Sequence, residues 1–110
     1  MTKCIHIVII DYPNALQSAV QGFRELFLLA NKVIQDNQLE IQFTVELIQP
    51  DRDLDGMSRH DIVILPPNFD GNYYLTPQPG LLQYLNDAHQ KGAILCSACA
   101  GHIYLPKRVC

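Results

Sequence analysis

Ala93-Ile94-Leu95-Cys96-Ser97-Ala98-Cys99-Ala100-Gly101 is the stretch on which the fold turns. Four largely apolar residues run into a series of small ones, the pattern of a buried strand that bends sharply into a helix. Cys99 sits at the bend between Ala98 and Ala100, and a backbone folded that tightly tolerates only small neighbours. The start of the following helix presents free N–H groups and a positive dipole end, which favour a thiolate and an oxyanion. A buried cysteine that packs as a small hydrophobe fits the same letters. So does a thioredoxin-like dithiol, because Cys96-x-x-Cys99 lies between a strand and a helix.

Upstream of this turn, Leu81, Leu82, Leu85 and Ala88 form the buried stripe of a predicted helix that opens near Thr76-Pro77 and stops at Lys91-Gly92. Before it comes Asp61-Ile62-Val63-Ile64-Leu65-Pro66, an apolar strand that ends at Pro66-Pro67-Asn68. Pro50 to Arg59 reads as polar loop, and Ile41, Phe43, Val45 and Leu47 alternate with polar residues as a half-buried strand does. Leu16, Ala19, Val20, Phe23, Leu26, Phe27, Ala30, Val33 and Ile34 recur at steps of three and four, which predicts one buried helix face. That helix ends at Asp36-Asn37. Cys4 to Ile10 is a β-branched run predicted to be a central strand covered on both faces, with His6 as a packed core residue and Asp11-Tyr12-Pro13-Asn14 as the turn. By the same logic Cys96 belongs to a buried strand.

Strand, helix, strand, strand, helix, strand, then a turn into a third helix, is the order of an α/β fold. It predicts a flavodoxin-like open parallel sheet with helices on both faces. Ligand sites in such sheets gather beyond the carboxyl ends of the strands. Asp11 and Tyr12, Pro67 and Asn68, and Cys99 and Ala100 all fall there.

Composition narrows the function. With 110 residues, 48% hydrophobic and 17% charged, the chain suits a single domain. A net charge of −3 with no basic stripe gives these residues no footprint for nucleic acid. No apolar run is long enough to span a membrane, and Met1-Thr2-Lys3 leads into no cleavable signal, which together imply the cytoplasm. The four cysteines show no second ligand pair at zinc spacing, so neither a metal nor another cofactor is expected.

The strand end Asp61 to Pro66 and the run Gly92 to Gly101 resemble the ThiJ/PfpI, or class I glutamine-amidotransferase-like, superfamily. Ala15-Leu16-Gln17-Ser18-Ala19-Val20, Glu25-Leu26-Phe27 and Leu29-Ala30-Asn31 are similar to its AraC-type regulator branch, where such a domain precedes a helix-turn-helix DNA-binding domain. The resemblance runs from about Ile5 to Leu105. It implies Cys99 as the elbow cysteine and the Ala100 N–H as one oxyanion donor. It also implies a small-molecule effector held by Asp11, Tyr12, Pro67, Asn68, Cys99, Ala100 and His102, a homodimer, and DNA contact through a separate domain.

Three positions depart from the enzymatic pattern. Ala19 stands where enzymatic and redox-sensing members carry a carboxylate. Pro67 replaces a residue whose N–H completes the oxyanion hole, and proline has none to give. Ala100 replaces the histidine that follows the cysteine in the hydrolases. One lost oxyanion donor costs about 2.7–4 kcal/mol of transition-state stabilisation. A non-catalytic sensing domain is therefore the expectation; a cysteine hydrolase or amidase, and a dithiol protein using Cys96 and Cys99, are the alternatives. Family members are longer, so residues 1–110 are expected to be the N-terminal part of the domain. Pro106-Lys107-Arg108-Val109-Cys110 continues the third helix badly. A single base deleted near codon 105 would produce this tail.

Overall fold

Ile7, Val8, Ile9 and Ile10, at the end of strand β1 (Lys3–Ile10), are shielded from solvent and make the centre of the core. The computed structural model describes residues 3–50, 60–68 and 79–98. β2 (Ile41–Ile48) and β3 (Ile62–Leu65) flank β1, each parallel to it, and β4 (Ile94–Ser97) runs parallel beside β3. The sheet order is thus β2-β1-β3-β4. Helix α1 (Gln17–Asp36) joins β1 to β2, and α2 (Pro79–Gln90) lies between β3 and β4. This is the open, all-parallel flavodoxin-like α/β arrangement that the order of elements predicts.

The two helices lie on opposite faces. The Phe27 ring of α1 rests 5.3 Å from that of Phe43, so α1 covers the face carrying Phe43, Val45 and Leu47. Register places Ile5, Ile7 and Ile9 of β1 on that same face. Glu46, one residue out of phase, bonds His60, which in turn meets Tyr84 of α2 on the other face. Right-handed crossovers that leave β1 and β3 in opposite directions require this division. Leu81 and Leu85 fix α2 to the sheet, each fully buried and contributing about 1.5–3 kcal/mol over exposure.

Left-handed residues close the helices. Gly92, at φ +95°, follows α2 while its N–H and that of Ala93 return to the carbonyls of His89 and Ala88. After α1, the N–H groups of Gln38 and Leu39 bond back to Gln35 and Ile34, with Gln38 at φ 56°. The start expected for the second helix at Thr76-Pro77, and the loop expected from residue 51 to Arg59, lie outside the described residues.

Four expectations are corrected by burial, the first being Leu82, which shares the predicted stripe of α2 with Leu81 and Leu85 yet is exposed. His6 is exposed rather than packed in the core; its ring bonds the Thr44 hydroxyl at 2.7 Å on the part of the sheet that α2 does not reach. Cys96 is exposed too, because β4 lies at the margin of the described sheet and presents Ile94, Cys96 and Ser97 to solvent. Leu26 and Val33 share the predicted helical phase with Phe23 and Phe27. They sit to one side of the buried stripe and are 57% and 52% exposed.

Candidate functional site

Going from β1, the chain moves through α1 to β2 on one side, while β3 lies on the other. The carboxyl ends of β1 and β3 therefore bound the topological switch point, the usual binding crevice of such a sheet. Here that crevice is laced shut by hydrogen bonds. The buried Tyr12 hydroxyl donates to the Pro66 carbonyl, and the Leu16 N–H donates to the Pro67 carbonyl at 2.8 Å. Asn68 forms an antiparallel bridge with Ala15 and donates its amide to the Pro13 carbonyl at 2.6 Å. Tyr12 is thus a strut whose phenol satisfies a buried carbonyl, as a buried Tyr O–H must.

An open concavity among the described residues lies one strand over, above the ends of β1 and β2. It has a volume of about 380 Å³ and is lined by Asp11, Tyr12, Pro13, Asn14, Gln17 and Gln49. Each lining group has a local cause. Asp11 is the first residue past β1, held by its N–H on the Ile48 carbonyl at 2.7 Å. Asn14 takes the left-handed conformation (φ 63°) that Asn tolerates, and this turns the chain into α1. Gln17 opens α1 and donates its side-chain amide to Asp11 Oδ1 at 2.9 Å and to the Ala15 carbonyl at 3.3 Å. One carboxylate oxygen of Asp11 is thereby fixed in place. A fixed carboxylate beside amide side chains can recognise N–H and O–H donors on a small polar molecule.

Of the residues predicted from sequence, Asp11 and Tyr12 line this concavity. Pro67 and Asn68 lie on the laced seam beside it. Cys99, Ala100 and His102 lie outside the described residues; β4 is followed as far as Ala98, whose N–H bonds the Leu65 carbonyl at 3.0 Å. Sequence reasoning missed Pro13, Asn14, Gln17 and Gln49. Gln49 carries the one signal that could have found it, its place as the first residue after the buried end of β2 at Ile48. Among the described residues no group of three His, Cys, Asp or Glu is arranged to hold a metal ion.

A second polar cluster underlies α2. His60, with its side chain only 5% exposed, bonds Glu46 through Nε2 at 3.1 Å and meets the Tyr84 hydroxyl through Nδ1 at 3.2 Å. An ionised carboxylate only accepts, so Nε2 donates to Glu46, and Nδ1 is left to the Tyr84 hydroxyl. Burial, and then the Glu46 carboxylate, push the Tyr84 phenol up to about 12 from its ordinary 10.0. A phenol held neutral in this way donates a hydrogen bond. The cluster ties β2 to α2 across β1 and is a clamp.

No protein-family model matches the sequence, and no curated protein does. Among solved structures, a proposed transcriptional regulator protein from Vibrio parahaemolyticus has the same fold, with a TM-score of 0.77 at 14% identity. The match covers 93% of this chain and 60% of that one. No helix among the described residues is long and apolar enough to cross a membrane.

Proposed function

We propose that this chain is the ligand-sensing domain of a transcriptional regulator, a ThiJ/PfpI-like domain of the AraC-type branch that binds a small polar effector without turning it over. The observation that carries this is the polar concavity above β1 and β2, with Asp11 held by Gln17 and flanked by Asn14 and Gln49. Among the described residues no cationic side chain lines it, and the fixed Asp11 carboxylate suits an effector rich in N–H donors, such as an amine, amidine or amide, over a carboxylic acid or phosphate. The fold shared with a proposed regulator agrees with this role. So does Pro67, which offers only a carbonyl at the strand end and spends it on Leu16. On this proposal the protein works in the cytoplasm as a homodimer, and DNA contact falls to a separate helix-turn-helix domain.

Titration of the 15N-labelled protein with putrescine, arginine and glutamine, against citrate and inorganic phosphate, tests the site. Shifts of the Gln17 and Gln49 side-chain amides with the nitrogenous probes, lost in Asp11→Asn, are expected. Binding of citrate or phosphate at these residues, or binding of the nitrogenous probes indifferent to Asp11→Asn, would overturn it.

A further inference from the structure

Gln17 decides which hydrogen-bonding groups the concavity offers. Its Nε2 donates to Asp11 Oδ1 at 2.9 Å and to the Ala15 carbonyl at 3.3 Å, so both amide hydrogens are committed within the chain. Both partners only accept, and this fixes which way round the amide stands: the nitrogen faces them and Oε1 is turned away. Gln17 therefore offers a ligand an acceptor and no donor. It also takes one lone pair of Asp11 Oδ1 and sets an N–H beside that oxygen, while Oδ2 bonds nothing among the described residues. Asn14, exposed at the rim in its left-handed turn, adds a further acceptor in its side-chain carbonyl.

We propose that the concavity takes a primary ammonium group and that Gln17 is the residue that selects ammonium over guanidinium; this rests on reading the concavity as an effector site. A guanidinium is a rigid plane that pairs best with a carboxylate through two parallel N–H arms, one on each oxygen. With Gln17 on Oδ1, the second arm meets an oxygen already engaged and an N–H that repels it. An ammonium is a compact charge whose three donors point apart, so it is served by acceptors on separate groups. Asp11 Oδ2, Gln17 Oε1 and Asn14 Oδ1 are three acceptors on three residues of the lining. A quaternary ammonium has no N–H for any of them, and a carboxylate or phosphate meets Asp11 as a like charge. The volume, about 380 Å³, is that of a small-molecule site.

Titration of the 15N-labelled chain with butylamine, butylguanidine and butyltrimethylammonium tests this, read at the Asp11 backbone amide and the Gln49 side chain. Far-UV circular dichroism confirms that each variant stays folded. Butylamine should bind roughly tenfold more tightly than butylguanidine, the worth of one charge-assisted arm, and butyltrimethylammonium should not bind. Gln17→Leu, in the exposed first turn of α1, frees Oδ1 and removes Oε1. It should weaken butylamine, strengthen butylguanidine and so erase the preference, whereas Asp11→Asn should abolish binding of both. Equal affinities in the unaltered chain, or a loss in Gln17→Leu shared equally by the two probes, would overturn the role of Gln17 and leave the effector site standing. Binding of neither probe, or binding indifferent to Asp11→Asn, would overturn the site as well.

Discussion

Asn31 should be worth more to this fold than any other polar residue on α1. β2 lies at one margin of the described sheet, and Phe43 turns its N–H and carbonyl away from the strands, where nothing in a ladder can meet them. The Asn31 side chain meets both: Nδ2 donates to the Phe43 carbonyl at 2.8 Å, and Oδ1 accepts from the Phe43 N–H at 2.8 Å. Asn31→Ala removes two bonds worth about 0.5–1.5 kcal/mol each, in a part-buried site where water replaces them poorly. Alanine returns at most about 0.7 kcal/mol as the better helix former. The net loss should be about 1–2 kcal/mol, read by urea unfolding with the slope against denaturant unchanged. Asn31→Asp keeps the acceptor for the Phe43 N–H but sets a carboxylate against the carbonyl, so its loss should shrink in acid as the carboxyl protonates and donates. Gln35→Ala, on the exposed side of the same helix, serves as the control. A change below about 0.3 kcal/mol for Asn31→Ala would show that water serves this strand edge as well as Asn31 does.

Tyr84 should give stability an alkaline limb. Its folded pKa, about 12, lies above the unfolded value near 10.0, so its contribution is intact below pH 10 and drains away between about 10 and 12. Tyr84→Phe should flatten that limb in melts taken across this range, and an unchanged limb would mean that Tyr84 ionises as an exposed tyrosine does. Gln38→Gly relieves a left-handed residue at the end of α1 and should raise stability by about 0.5–1 kcal/mol in thermal unfolding. A loss there would mean that the Gln38 side chain contributes more than its backbone strain costs.

The fold was legible because its signals are local and repeated. Ile7 to Ile10 and Ile62 to Leu65 are apolar runs too short for helices and too β-branched for loops, and the phase change at Leu16 marks a helix without reference to anything distant. What failed was burial, which depends on neighbours that no local pattern records. His6 sits in the same β-branched run as Ile7, yet it falls on the face that α2 leaves open. Leu26 and Phe27 are adjacent and equally apolar, but only Phe27 is turned toward Phe43. The binding-site residues were half legible for the same reason. A strand end can be read from sequence, whereas Gln17 enters the site only because α1 folds back over the Asp11 turn.

The lacing between β1 and β3 bears on what the strand ends can do together. Tyr12, Leu16 and Asn68 spend their hydrogen bonds holding Pro66, Pro67 and Pro13, which closes the crevice midway along the sheet and leaves the concavity on the β1–β2 side. The end of β4 lies on the other side of that seam, since β3 separates it from β1. Strands stand roughly 4.8 Å apart, so about 10 Å of laced backbone lies between the Asp11 turn and the end of β4 at Ala98. A nucleophile must come within about 3–3.5 Å of the atom it attacks. A small molecule seated on Asp11, Gln17 and Gln49 would have to extend across the seam to touch the end of β4 at Ala98. A regulator has no such need. It requires only that an occupied concavity hold the start of α1 differently from an empty one, and Gln17 belongs to both the concavity and the helix. A ligand there acts first on α1, which carries Leu26, Leu29 and Val33 exposed along one side.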